Sequence, residues 1–219
     1  MAPDGSPVAV YARLSARETP QLIHDGIAPG ATILELGSGA GRLTHPLQAL
    51  GHAVVAVDNS LAMLRRVHGA STVLADLAAM PLHAKFDVVL LASHFINAAE
   101  RSERARLFEV CAGYVRPNGV VLIERYEPDF ARTVTHSSTE VDGVAIEWTV
   151  LQRDGDCLDA AVTYRLAGEF WTQRFRAAVL DDAAFDAEAR AAGLRVDHWL
   201  TPQRDWASLT RCAPERAGI

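Results

Sequence analysis

The run ILELGSGAGRL (33–43) places Gly37, Gly39 and Gly41 at alternate positions behind a short apolar segment, with Glu35 two residues ahead of the first. Glycine has no Cβ to hold a ligand off the main chain, and it adopts left-handed backbone conformations freely. Three glycines at this spacing describe a loop whose backbone is approached closely. Arg42 stands where the dinucleotide fingerprint G-x-G-x-x-G has its third glycine. An acid ahead of the loop suits a cationic ligand better than a pyrophosphate. Asp58 closes the second apolar run, about 20 residues on, where a carboxylate accepts both hydroxyls of a ribose. Asp76 follows a third run and would accept an adenine amino proton; Ser93 and His94 follow a fourth. Imidazole titrates near neutrality, so His94 is the candidate general base. Asn97, three residues on, is the candidate to orient a substrate group.

These residues need elements to hold them. Residues 8–27 carry a helical pattern (Val10, Leu14, Leu22, Ile23, Ile27) with a break near Thr19-Pro20. ATILEL (31–36) reads as a buried strand. Residues 41–50 read as a helix, with Pro46 near enough to its start that the missing N–H matters little. AVVAV (53–57), TVLA (72–75), FDVVLLA (86–92) and VVLIERY (120–126) read as further strands. Helices are expected over 61–67, with Ser60 as N-cap, and over 101–115, with Leu107, Val110, Cys111 and Tyr114 on one face; RPNG (116–119) reads as a turn. Continuous apolar strands alternating with helices make a parallel sheet covered on both faces. Ligands of such sheets sit beyond the carboxyl ends of the strands, where the glycines, Asp58, Asp76 and Ser93 all fall. Past Pro128 the pattern alternates: Val144 to Val150, a hairpin at Asp154-Gly155, Leu158 to Leu166, a turn at Gly168, then Trp171 to Val179. This is a three-stranded antiparallel meander. A helix over roughly 182–192 stops at Gly193, and LRVDHWL and WASLTRC supply two last strands.

Composition excludes several classes. A net charge of -6 opposes a nucleic-acid surface. No apolar run reaches membrane-span length and the N-terminus lacks a signal pattern, so the expectation is a cytoplasmic protein without a membrane partner. Cys111, Cys157 and Cys212 are few and widely spaced, as in a reducing compartment. The histidines show no metal-ligand spacing, and no metal is expected. Lys85 is the single lysine among 21 basic residues, which points to a GC-rich bacterial genome.

The glycine loop with Glu35, the acids Asp58 and Asp76, Ser93-His94 and the RPNG turn together resemble the class I S-adenosylmethionine-dependent methyltransferases of small-molecule type. The resemblance spans about residues 8–126 by motif and the rest by order of elements. It implies an α/β, doubly wound, mostly parallel seven-stranded Rossmann-like sheet with the antiparallel meander inserted after strand five. Residues 1–30 would be lid helices, 31–127 the cofactor-binding core, 128–180 the insertion and substrate cover, and 181–219 the C-terminal helix and final strands. It further implies that Gly37, Ser38 and Gly39 pack their backbone on the methionine part of S-adenosylmethionine, with Glu35 near its ammonium. Asp58 would bind the ribose, Asn59 and Met63 flank the adenine, and Asp76 and the Leu77 amide read its edge. Ser93 and His94 would border the methyl group, and Tyr11 would cover the cofactor from the lid.

The implied reaction is direct displacement onto a nitrogen or oxygen of a small-molecule acceptor, with S-adenosylhomocysteine as product. His94, Asn97 and Tyr11 are its catalytic candidates; Arg125 and His136 are open to a site role, a surface loop or an ion pair. A monomer and a homodimer both fit. Metal-dependent relatives have an acid where Ala92-Ser93-His94 stands, and amino-methylating DNA enzymes have Asn or Asp before Pro-Pro there. Two rival readings keep every cofactor motif: a peptide or protein N-methyltransferase, and a cofactor-binding protein that transfers no methyl. A nicotinamide dehydrogenase is opposed by Glu35 and by the missing third glycine.

Overall fold

Strand β1 (Thr32–Leu36) is buried at its last four positions because its alternate side chains enter two different cores. In the computed structural model, which describes residues 1–80 and 82–213, Leu34 and Leu36 face one core and Ile33 the other. Strands β2 (Ala53–Asp58), β4 (Phe86–Leu91) and β5 (Val115–Glu124) divide their side chains in the same way. That double burial is what their unbroken apolar runs encode. Each large side chain so buried stabilises the fold by roughly 1.5–3 kcal/mol. One core is closed by α5 (Arg101–Tyr114) and α7 (Asp182–Ala191), the other by α2 (Thr19–Asp25) and α3 (Thr44–Ala49).

The main sheet has seven strands in the order β10-β11-β5-β4-β1-β2-β3, where β3 is Ser71–Leu74, β10 Leu194–Trp199 and β11 Trp206–Arg211. β1 pairs in parallel with β2 and β4, whereas β11 runs antiparallel to β5. The order reverses beside β1, so the exit of β1 opens at the switch point of the sheet.

The insertion is larger than its sequence pattern indicates. It has four strands, β6 (His136–Val141), β7 (Val144–Asp154), β8 (Cys157–Leu166) and β9 (Glu169–Ala178), in sequential order. The expected three-stranded meander omits β6, whose HSSTEV has no apolar alternation. The signal present was Asp142-Gly143, both left-handed (φ 53° and 76°), a tight hairpin of the kind expected at Asp154-Gly155.

Other boundaries shift for local reasons. The N-terminal helical stretch is two short helices, α1 (Val8–Tyr11) and α2, with 12–18 between them. The expected helix over 41–50 starts only at Thr44, because Gly41 takes φ 89°; Pro46 thus falls in the first turn, where no N–H is needed. The helix expected over 61–67 is the single turn α4 (Leu61–Leu64), and Ser60 caps it by accepting the Met63 N–H at 3.3 Å. RPNG is not a separate turn but lies inside β5: pairing jumps from Phe86↔Val115 to Val88↔Val120, so residues 116–119 bulge out of the ladder. Residues 214–219 of the expected C-terminal segment lie outside the described residues.

Candidate active site

At the exit of β1 all three loop glycines are left-handed: Gly37 at φ 71°, Gly39 at 56° and Gly41 at 89°. A Cβ on Gly37 would run into the Phe95 ring at 2.4 Å, whereas one on Gly39 would meet nothing within 4 Å. Gly39 therefore presents bare backbone to open space. Asp58, at the end of β2, secures this arrangement: its Oδ2 accepts the Gly39 N–H at 2.8 Å and its Oδ1 the Ser60 N–H at 2.8 Å. A carboxylate has about four acceptor positions, so two remain for a ligand. Burial raises the Asp58 carboxyl from its ordinary value, opposed by the Ser60 and Gly39 amides.

Glu35 lies beneath the loop, 3% exposed, and accepts the Thr44 hydroxyl at 2.5 Å. Burial pushes its carboxyl up to about 7, against the Thr44 hydrogen bond and the nearby Arg42. Ser38 is buried too, and its Oγ has no hydrogen-bond partner among the described residues. Asn59 is exposed beside Asp58, Met63 is buried behind it, and Asp76 is exposed before the 3₁₀ turn Leu77–Ala79.

The exit of β4 is strained. Ser93 and His94 are consecutive non-glycine residues in the left-handed region, φ 57° and 60°, a conformation that costs on the order of 1–3 kcal/mol per residue. Glu124, the last residue of β5, holds it: Oε2 accepts the Ser93 N–H at 2.5 Å, and Oε1 lies 3.9 Å from His94 Nε2. Arg42 Nη2 donates to Ser93 Oγ at 3.2 Å. His94 stacks on Tyr126 (4.2 Å between centroids, 14° between planes), which stacks on Trp148 of β7 (5.7 Å). Phe130 and Phe175 flank Trp148. The lid reaches the same wall, with the Tyr11 and Tyr164 hydroxyls 3.1 Å apart. Burial and the neighbouring Tyr11 raise both the Tyr126 and Tyr164 phenols.

Glu35, Gly37, Ser38, Gly39, Asp58 and Ser93, with His94, thus gather around the exits of β1, β2 and β4, and Tyr11 reaches the adjoining wall. Asn97 does not face open space. It is 2% exposed, its Nδ2 donates to Ala178 O at 2.8 Å and its Oδ1 accepts the Tyr126 N–H at 2.9 Å. Both ends of its amide are taken by backbone, so it clamps the exit of β5 to β9 rather than meeting a substrate. Arg125 is fully buried away from the site, ion-paired to Asp182 and stacked over Trp199 at 4.2 Å. His136 is exposed on β6 beside Thr149. Sequence reasoning passed over Glu124, Arg42 and Tyr126. Glu124 carries the signal that marked Asp58, an acid closing a core strand.

This doubly wound sheet, with a glycine-lined switch point and acids closing neighbouring strands, is an α/β fold whose mouth could take a nucleoside. Residues 33–119 match the family model described as a methyltransferase domain. The fold is similar to that of an S-adenosylmethionine-dependent methyltransferase from Clostridium acetobutylicum (TM-score 0.74, 13% identity, 93% of this chain and 95% of that one). It is similar also to CalS10, an amino pentose methyltransferase from Micromonospora echinaspora (0.69, 19%, 94% and 92%). A third such structure is the sugar N-methyltransferase KedS8 from Streptoalloteichus (0.65, 22%, 95% and 90%). At these identities the likeness is one of fold. Comparison with curated proteins finds no match. The match to a methyltransferase domain covers residues 33–119, and the fold is one shared with S-adenosylmethionine-dependent methyltransferases. The mouth fits that cofactor: bare backbone at Gly39, an unpartnered buried hydroxyl at Ser38, and carboxylates suited to a cation. No helix among the described residues is long and apolar enough to cross a membrane.

Proposed function

We propose that the protein methylates a nitrogen or oxygen of a small molecule seated between the exit of β4 and the inner face of the β6–β9 sheet. The observation that carries this reading is the wall His94–Tyr126–Trp148 beside Glu124, at the mouth that Gly39 leaves open. Aromatic faces beside a carboxylate attract a cationic or amphipathic acceptor, which favours an amine over a neutral hydroxyl. The likeness to CalS10, an amino pentose methyltransferase, and to KedS8, a sugar N-methyltransferase, supports the same choice.

S-adenosylmethionine supplies a methyl group already activated on a sulfonium. Glu35, Ser38, Gly39 and Asp58 hold and orient it. His94 Nε2 takes the proton that an ammonium or hydroxyl acceptor must lose, a contribution of roughly 10²–10⁴-fold. Glu124 faces the resulting imidazolium and stabilises it. Tyr11 and Tyr164 close the site to water, and alignment supplies at most about 7–11 kcal/mol. The test is incubation with S-adenosylmethionine and a panel of small amines, amino sugars and alcohols, reading the mass gain of one methyl and the formation of S-adenosylhomocysteine. Transfer to peptides alone, or binding without transfer to any acceptor, would replace this reading.

A further inference from the structure

We propose that the cleft between the lid and the start of α3 binds a multiply charged oxyanion of the phosphoryl class. The cleft measures about 700 Å³ and runs from the lid segment after α1, past Gly41, to the turn after α4. Five basic side chains line it: Arg17 from the lid, Arg42 and His45 from the loop and α3, and Arg66 and His68 from beyond α4. No carboxylate-bearing residue is in the lining, on a protein whose net charge is -6.

Two of the guanidiniums feel a carboxylate outside the lining, Arg42 that of Glu35 and Arg17 that of Asp142, without closing an ion pair. Among the described residues none of the three guanidiniums forms an ion pair. Arg17 donates to the Glu140 carbonyl at 2.8 Å and Arg42 to Ser93 Oγ at 3.2 Å. A guanidinium has five N–H donors in a planar fork that matches an oxyanion, so most donors remain. His45 Nε2 accepts the His68 N–H at 3.0 Å, which places its proton on Nδ1 and leaves it a neutral donor. Burial and the stacked His68 ring, 5.8 Å away, hold His45 toward that neutral form. Like charges gathered in a concave surface repel each other and focus a positive field. A single carboxylate would engage one fork, whereas a phosphoryl or diphosphoryl group carries the charge and the oxygens to engage several.

The cleft adjoins the proposed methyl-transfer site, sharing Tyr11 and Arg42 with it, and its test uses no turnover. Pyrophosphate and orthophosphate are titrated calorimetrically into protein saturated with S-adenosylhomocysteine. Pyrophosphate is expected to bind the saturated protein. R66A should weaken it by about tenfold or more, and R17A/R66A further, as charge-assisted hydrogen bonds are lost. Affinity for S-adenosylhomocysteine should move less than twofold in the exposed R66A variant. Glucosamine 1-phosphate and glucosamine distinguish the sources of the anion. Tighter binding of the phosphorylated amine than of orthophosphate or glucosamine assigns the anion to the acceptor; binding equal to orthophosphate assigns it to a free phosphate. Absence of heat with millimolar pyrophosphate, or unchanged affinity in R66A, overturns the proposal. So does heat that vanishes on saturation, because the cleft would then hold the cofactor's own carboxylate.

Discussion

Gly39 is the position where a single added carbon separates stability from binding. Its φ of 56° makes Gly39→Ala unfavourable by on the order of 1–2 kcal/mol, and no atom stands in the way of the new Cβ. The protein should fold, and calorimetric affinity for S-adenosylhomocysteine should fall well beyond the loss in stability, since the Cβ enters the space a ligand needs. His94 is argued from the opposite balance. His94→Ala should slow turnover by about 10²-fold or more and leave cofactor affinity nearly unchanged; equal losses in both would make it structural. Glu124→Gln keeps an acceptor for the Ser93 N–H and removes the charge facing His94. It should slow turnover while preserving the loop and the affinity for S-adenosylhomocysteine, whereas unchanged turnover would confine Glu124 to holding strain.

At the level of elements, the site is assembled by ties between parts distant in sequence. Asn97 joins the exits of β4 and β5 to β9, and Asn97→Ala leaves the Ala178 carbonyl and the Tyr126 N–H without a partner. A loss of roughly 2–4 kcal/mol is expected in urea unfolding, with kcat falling because Tyr126 shifts beneath His94. A fully active, equally stable variant would refute the clamp. The lid is fastened to the insertion as well as to the core: Arg13 Nε donates to Asp142 O at 2.7 Å and the Ser15 N–H to Asp142 Oδ2 at 2.6 Å, while Ala16 and Ile23 are buried in the core. Lid and β6–β7 hairpin therefore form one roof. Those contacts explain why β6 matters although its own residues are mostly polar and exposed.

For the molecule as a whole, Glu35 couples folding to pH. Its carboxyl rises from 4.5 to about 7 on folding, so between these values the native state holds a proton that the unfolded chain has lost. Stability from this group is full below the lower value and declines as pH rises through the upper one, in total by roughly 3 kcal/mol. Urea midpoints should show about 1 kcal/mol lost between pH 6 and pH 8, and Glu35→Gln should flatten that decline. A cationic cofactor favours the ionised form, so binding near pH 6 should release a proton, detectable by calorimetry in buffers of different ionisation enthalpy; no dependence on buffer would separate Glu35 from the ligand.

Local chemistry was enough to read the sheet and the mouth. Apolar runs such as VVLIE can be satisfied only by burial on both faces, and residue type and position at strand ends place Gly37, Gly39 and Asp58 at the mouth. Asn97 shows where such reading stops: an amide at a strand exit looks the same whether it meets a substrate or two backbone groups, and only the approach of Ala178 and Tyr126 decided between them. Strand β6 was hidden because an edge strand with neither face buried needs no apolar alternation. The stacking of His94 on Tyr126 and Trp148, and the convergence of Arg17, Arg42 and Arg66 on one cleft, join residues far apart in the chain. Periodicity reports which way a side chain faces its own element; which partner it meets across space is decided by packing alone.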